Sequence, residues 1–149
     1  INDRPDGIWV KTSPYPGFPT DLQSPLMALM AAGNGNGEIR ETVFEERFGT
    51  AEELRKLGAR IEIQKDRARI HGMYPLRGET VQAADLRGGA ALVIAGLAAE
   101  GVTKIQNSHH IFRGYEDICG DLRALGARVR YKDLIQRPYT KTGECTRNL

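Results

Sequence analysis

Eight consecutive residues, Leu54-Arg55-Lys56-Leu57-Gly58-Ala59-Arg60-Ile61, recur almost unchanged as Leu122-Arg123-Ala124-Leu125-Gly126-Ala127-Arg128-Val129. A repeat of that length restricts the chain to a fold assembled from copies of one supersecondary unit, each copy burying apolar surface against its neighbour. The matching extends upstream. Thr20-Asp21-Leu22-Gln23 opens a segment with Leu22, Leu26 and Leu29 at helical spacing, and Ala84-Asp85-Leu86-Arg87 opens another with Leu86, Ala90, Val93 and Leu97. Each copy then has a Gly-rich turn and an alternating stretch: Gly35-Asn36-Gly37-Glu38-Ile39-Arg40 in the first, Gly101-Val102-Thr103-Lys104-Ile105-Gln106 in the second.

Next comes an arginine, Arg47 or Arg113, ahead of a short second helix. Thr50 and Glu53 have capping-box spacing, and Leu54 and Leu57 supply an apolar face. Gly58 and Gly126 are placed for the left-handed conformation that ends a helix. Period two follows in Arg60-Ile61-Glu62-Ile63-Gln64 and, across a turn at Lys65-Asp66, in Arg67-Ala68-Arg69-Ile70-His71. The unit reads strand, helix, strand, helix, strand, strand. Two such βαβαββ units, over about residues 7–71 and 79–132 with the second cut short, predict an α/β fold, α+β in some schemes. The crossovers should be right-handed, with helices covering one sheet face. Residues 134–149 carry Pro138, Gly143 and no periodicity, and are expected to form an irregular tail.

With 149 residues and 40% hydrophobic content, the chain can bury one substantial core without disulfides. A net charge of +2 is too small for the counterion release that drives nucleic-acid binding, so nucleic acid is not an expected partner. No apolar run approaches the roughly 18 residues of a spanning helix, and no signal-peptide pattern opens the chain. The expectation is a soluble, cytoplasmic protein without a membrane partner. Cys119 and Cys145 lie in no cluster of metal-binding spacing. The chain opens on Ile1 rather than Met, as a segment of a longer protein would.

Several residues could carry chemistry. Asp21 and Asp85 stand at helix starts, where a carboxylate ordinarily caps free amides. Arg87, Gly88 and Gly89 follow Asp85 into the first helical turn; either a ligand approaches the backbone there or the helix packs closely on its surroundings. Arg47 and Arg113 follow strands, where open α/β sheets usually place ligand contacts. His109 and His110, adjacent on a strand, would point apart, one packed and one exposed. Cys119 reads as a small buried hydrophobe, and the arginines at Arg67, Arg69, Arg128 and Arg130 as a solvated sheet face.

Four blocks carry a family resemblance. Pro16-Gly17-Phe18-Pro19-Thr20-Asp21-Leu22-Gln23, Glu41-Thr42-Val43-Phe44-Glu45-Glu46-Arg47-Phe48, Ala84-Asp85-Leu86-Arg87 and His110-Ile111-Phe112-Arg113-Gly114-Tyr115-Glu116 resemble signatures of the UDP-N-acetylglucosamine 1-carboxyvinyltransferase (enolpyruvyl transferase) family. The resemblance implies one domain of an inside-out α/β barrel, with residues 1–133 forming most of the second domain. It implies transfer of the enolpyruvyl group of phosphoenolpyruvate to the 3-hydroxyl of UDP-N-acetylglucosamine, a step of peptidoglycan biosynthesis and hence of cell wall and cell shape. No cofactor or metal is implied. By the same resemblance, Asp21 would accept the sugar hydroxyl's proton and the Val43 backbone would hold the nucleotide sugar. Arg87 and Arg113 would bind phosphoenolpyruvate, Asp85 would sit beside the reacting carbon, and Arg47 would bear on the site less directly. The family's first domain, with a lid-loop cysteine and an early lysine, is not represented here. It is an expected partner, and the chain alone is expected to be inactive. The alternatives are the sister activity that makes 5-enolpyruvylshikimate 3-phosphate and a non-catalytic binding module of the same fold.

Overall fold

The structure is a computed structural model and describes residues 4–72, 75–133 and 143–146. The first unit runs β1 (Trp9–Lys11), a single 3-10 turn (Thr20–Leu22), α1 (Gln23–Ala31), β2 (Asn36–Arg40), α2 (Thr50–Lys56), β3 (Arg60–Gln64) and β4 (Arg67–His71). The second runs β5 (Thr80–Gln82), α3 (Leu86–Ala98), β6 (Lys104–Gln106), α4 (His109–Phe112), α5 (Ile118–Ala124), β7 (Arg130–Asp133) and β8 (Gly143–Thr146). The sheets have matching orders, β1-β2-β4-β3 and β5-β6-β8-β7. In each, the strands joined through the long helix, β1 to β2 and β5 to β6, are parallel, and the remaining pairs are antiparallel.

Strand β8 corrects the sequence reading. Gly143–Thr146 pair with both β6 and β7, in the place β4 holds in the first sheet. The second unit is therefore not cut short, and the tail is not irregular over those residues. A four-residue segment of Gly, Glu, Cys and Thr shows no usable alternation, so only its partners define it as a strand. The rest of the expected tail, 134–142 and 147–149, lies outside the described residues.

The eight-residue repeat is a helix stop joined to a strand start. Gly58 and Gly126 take φ of +90° and +89°. Ala59 N–H donates to the Leu54 carbonyl at 3.1 Å and Ala127 N–H to that of Leu122 at 2.9 Å, the longer bond of a Schellman ending in both copies. The repeated arginine then reaches across the turn: Arg55 donates to the carbonyl of Ile61, and Arg123 to that of Val129. Capping-box spacing at Thr50 and Glu53 does not give a capping box. Thr50 is the first helical residue behind Gly49, with no side-chain cap bond. Glu53 Oε2 instead accepts the backbone N–H of Gln82 at 2.9 Å, tying α2 to the next unit's first strand.

Helices α1 and α3 pack on each other, α1 against β2 and β4, and α3 against β6, so the sheets flank a shared helical layer. The buried strand residues Ile39, Ala68 and Ile70 face that layer. On α1 the buried face is Met27, Ala28, Met30 and Ala31, while Leu29, and Leu22 in the preceding turn, stay about half exposed. The leucine spacing marked the helix but not its inner face, because this helix is apolar nearly all round. Small residues on the buried faces of both helices, Ala28 and Ala31 on one and Ala91 and Ala95 on the other, suit close approach. No helix among the described residues is long and apolar enough to cross a membrane.

Candidate functional site

The carboxyl ends of parallel strands β1 and β2 are the ligand-bearing edge of such a sheet. Here they converge on a buried carboxylate. Glu41 directly follows β2 and is 3% exposed. Its Oε1 accepts the Thr12 hydroxyl at 2.8 Å, Val43 N–H at 2.8 Å and Phe44 N–H at 3.2 Å; its Oε2 accepts the Thr20 hydroxyl at 2.8 Å. Burial pushes the Glu41 pKa up, but the bonds from Thr12, Val43, Thr20 and Phe44 outweigh it and hold the acid below the ordinary carboxylate value. Glu41 thus joins the end of β1, the 3-10 turn and the 42–44 turn through one side chain.

From Thr20 the network runs outward. Arg47 Nη1 donates to Thr20 Oγ1 at 3.0 Å, and Arg47 Nη2 meets Asp21 Oδ1 at 3.3 Å. Arg87 Nη2, from the second unit, meets Asp21 Oδ2 at 3.3 Å. Two guanidinium groups from sequence positions 40 residues apart therefore share one carboxylate, which is 56% exposed and faces solvent. The Arg47 guanidinium also lies over the Phe44 ring, 4.8 Å from its centroid. Asp21 is not a helix cap: it sits inside the 3-10 turn, behind Pro19, and accepts no capping bond.

Asp85 does cap. Its Oδ1 accepts Gly88 N–H at 2.7 Å at the start of α3, two residues before Arg87. The paired glycines resolve in favour of packing. A Cβ at Gly88 would stand 2.6 Å from Thr50 Oγ1, and one at Gly89 would stand 2.6 Å from Ile111 Cγ1. The starts of α2, α3 and α4 can meet only because side chains are missing there. The same packing locates Arg113, which follows α4 as its C-cap: Gly114 lies so close to Leu86 that a Cβ would fall 2.7 Å from Leu86 Cδ2. Arg113 is exposed beside the first turn of α3 and takes no part in the Asp21 bonds.

Val43 lies in an open cleft of about 620 Å³ with Arg40, Phe44 and Lys65 on its walls. Its N–H is already committed to Glu41. His109 and His110 are not on a strand. They form the start of α4 with ring centroids 4.1 Å apart, His109 exposed and His110 half-buried. Cys119 is fully buried, as expected. Among the described residues no cluster of three or more His, Cys, Asp or Glu side chains could hold a metal ion. The residue that sequence reasoning missed is Glu41. A glutamate after a strand, with two more at Glu45 and Glu46, reads as surface charge; its only available signal was two small polar partners, Thr12 and Thr20, dispersed along the chain.

Twin βαβαββ units around a shared helical layer, with arginines and an aspartate gathered at the strand and helix ends, define an α/β protein of the enolpyruvyl-transferase fold. The chain belongs to the EPSP synthase (3-phosphoshikimate 1-carboxyvinyltransferase) family, whose sequence model matches residues 2–122. It is similar to the UDP-N-acetylglucosamine 1-carboxyvinyltransferase of Thermotoga petrophila, 47% identical over 131 residues that make up 88% of this chain and 31% of that protein. It is also similar to UDP-N-acetylglucosamine 1-carboxyvinyltransferase 1 of Legionella pneumophila, 52% identical over 139 residues, 93% of this chain and 27% of that one. The crystal structure of the enolpyruvyl transferase NikO from Streptomyces tendae superposes with a TM-score of 0.77 at 37% identity, covering 87% of this chain and 30% of NikO. The chain thus spans about three-tenths of the length of these relatives.

Proposed function

We propose that this chain supplies most of the second domain of an enzyme that transfers the enolpyruvyl group of phosphoenolpyruvate to the 3-hydroxyl of UDP-N-acetylglucosamine. The setting is cytoplasmic peptidoglycan synthesis. The observation that carries the reading is the sharing of Asp21 by Arg47 and Arg87, side chains from two repeats. The identities of 47% and 52% to proteins named for that transfer favour it over the shikimate 3-phosphate activity for which the broader family is named.

Phosphoenolpyruvate is a compact anion with a carboxylate at one end and a phosphate at the other, and planar guanidinium forks match both groups. Arg87 and Arg113 border the first turn of α3 and supply the positive charge for such an anion. Asp21 is the base. A carboxylate is too weak to strip an alcohol in a separate step, so it orients the sugar hydroxyl and takes the proton as the carbon–oxygen bond forms. The bonds from Arg47 and Arg87 hold that carboxylate in one orientation. Asp85, anchored through one oxygen as a cap, keeps the other for the reacting carbon. With the Val43 amide committed to Glu41, the Val43 carbonyl is the backbone group left for the nucleotide sugar. The exposed faces of Asp21 and Arg87 form one wall of a cleft. The opposite wall, with the reactive cysteine and lysine, belongs to the first domain, so the chain alone binds weakly and does not turn over.

Saturation-transfer NMR on the chain with UDP-N-acetylglucosamine and, separately, shikimate 3-phosphate tests the reading. Contact signals are expected for the nucleotide sugar alone. Adding phosphoenolpyruvate should strengthen them, and Arg87→Ala should abolish that strengthening while changing stability by less than about 1 kcal/mol, as for any exposed ion pair. A preference for shikimate 3-phosphate would refute the substrate assignment, and release of phosphate by the chain alone would refute its inactivity without the first domain.

A further inference from the structure

Beyond the residues that would touch substrate, Glu41 is a buried carboxylate that accepts four hydrogen bonds. We infer that Glu41 is a positioning residue that sets the direction of the Thr20 hydroxyl and, through it, holds Arg47 against Asp21. The argument is one of donors and acceptors. An ionised carboxylate accepts only, whereas a hydroxyl carries one proton and two lone pairs. Thr20 donates its proton to Glu41 Oε2 at 2.8 Å, so the side of Thr20 Oγ1 that meets Arg47 Nη1 at 3.0 Å presents a lone pair. Thr12 repeats the pattern: its hydroxyl donates to Glu41 Oε1 at 2.8 Å and accepts Thr42 N–H at 2.9 Å. One buried charge therefore turns two hydroxyls into acceptors. One fixes the turn that carries Val43, and the other fixes the arginine that holds Asp21.

The low Glu41 pKa agrees with an acid that stays ionised to do this. Replacement by glutamine discriminates sharply. Three donors converge on Oε1, from Thr12, Val43 and Phe44, so the glutamine oxygen must take that place and its amide nitrogen must face Thr20. That nitrogen donates. Thr20 must then accept from both the amide and Arg47 while its own proton loses its acceptor, so the contact that oriented the hydroxyl is gone although the side chain keeps its shape.

The test is side-chain NMR on the ¹⁵N-labelled chain, following the Arg47 guanidinium. In the native chain its Nη signals should be split by hindered rotation. In Glu41→Gln they should average, as they should in Thr20→Val, which leaves the carboxylate and its other donors intact; Thr20→Ser, which restores a hydroxyl, should retain the splitting. Averaged Arg47 signals in the native chain, or split signals in both Glu41→Gln and Thr20→Val, would overturn the inference. Should Glu41→Gln not fold, Thr20→Val decides alone. A ligand arm rests on the function proposed above: Glu41→Gln should weaken UDP-N-acetylglucosamine binding about tenfold, as expected when one charge-linked contact is lost. The two readings fail separately. Absence of binding by the native chain refutes the substrate assignment and leaves the Arg47 result standing; native-strength binding by Glu41→Gln with unchanged Arg47 signals refutes the positioning role.

Discussion

Replacing Gly89 by alanine tests whether the first turn of α3 is built for contact rather than for ligand access. The new methyl would lie 2.6 Å from Ile111 Cγ1 and 3.2 Å from Ala83 Cβ. Unbonded carbons rest at about 3.5–4.0 Å, so roughly 1 Å of interpenetration must be relieved. Ile111 and Ala83 are both essentially unexposed, so neither can swing into solvent. Overpacking of this kind costs about 1–3 kcal/mol, and the helix propensity of alanine over glycine returns about 1 kcal/mol. The expected net loss is about 1 kcal/mol. Gly96, in the same helix, is the internal control: its methyl would meet Thr103 at 3.2 Å, a closeness that a few tenths of an ångström would relieve. There the propensity gain and the contact penalty should roughly cancel. Because both substitutions exchange the same residues within one helix, the propensity contribution drops out of their difference. Urea unfolding at constant m-value should separate the two by about 1–2 kcal/mol. The Gly89 variant should also shift backbone amide signals over residues 109–114, since α4 must move. Equal stabilities, or shifts confined to α3, would refute the packing account.

Two further outcomes follow from the same structure. Glu41 has a folded-state pKa below its unfolded value, so its contribution to stability is complete above about pH 4.5 and is lost as pH falls through the lower folded value. The urea midpoints of the native chain and Glu41→Gln should therefore differ most at neutral pH and converge in acid; a gap that does not change with pH would count against an ionised Glu41. The two aspartates should also separate. Asp85→Ala removes a real N-cap and should cost about 1 kcal/mol in thermal or urea unfolding. Asp21→Ala caps nothing, so a matching loss there would contradict its place in the 3-10 turn.

Much of the architecture was legible along the chain because its causes are local. The left-handed φ at Gly58 and Gly126, the period-two strands beside them and the Asp85 cap each depend on a few consecutive residues. Duplication then extended one unit's reading to the next. Where the signal was short or ambiguous the reading failed: β8 has four residues and needs its neighbours to exist, and the capping-box spacing at Thr50 was overridden when the helix began one residue early.

The site divides along the same line. By itself the sequence placed Asp21, Arg47, Asp85, Arg87 and Arg113 near strand and helix ends, and the family resemblance singled them out together as candidates. Tertiary structure alone decided that Asp21 pairs with two arginines instead of capping a helix, that Gly88 and Gly89 make room for α2 and α4, and that Glu41 lies at the centre of the network. Turn conformations and caps are settled within a few bonds of the backbone. Sharing a carboxylate between residues 26 and 66 positions away requires the two units to pack first, and no local pattern encodes that distance.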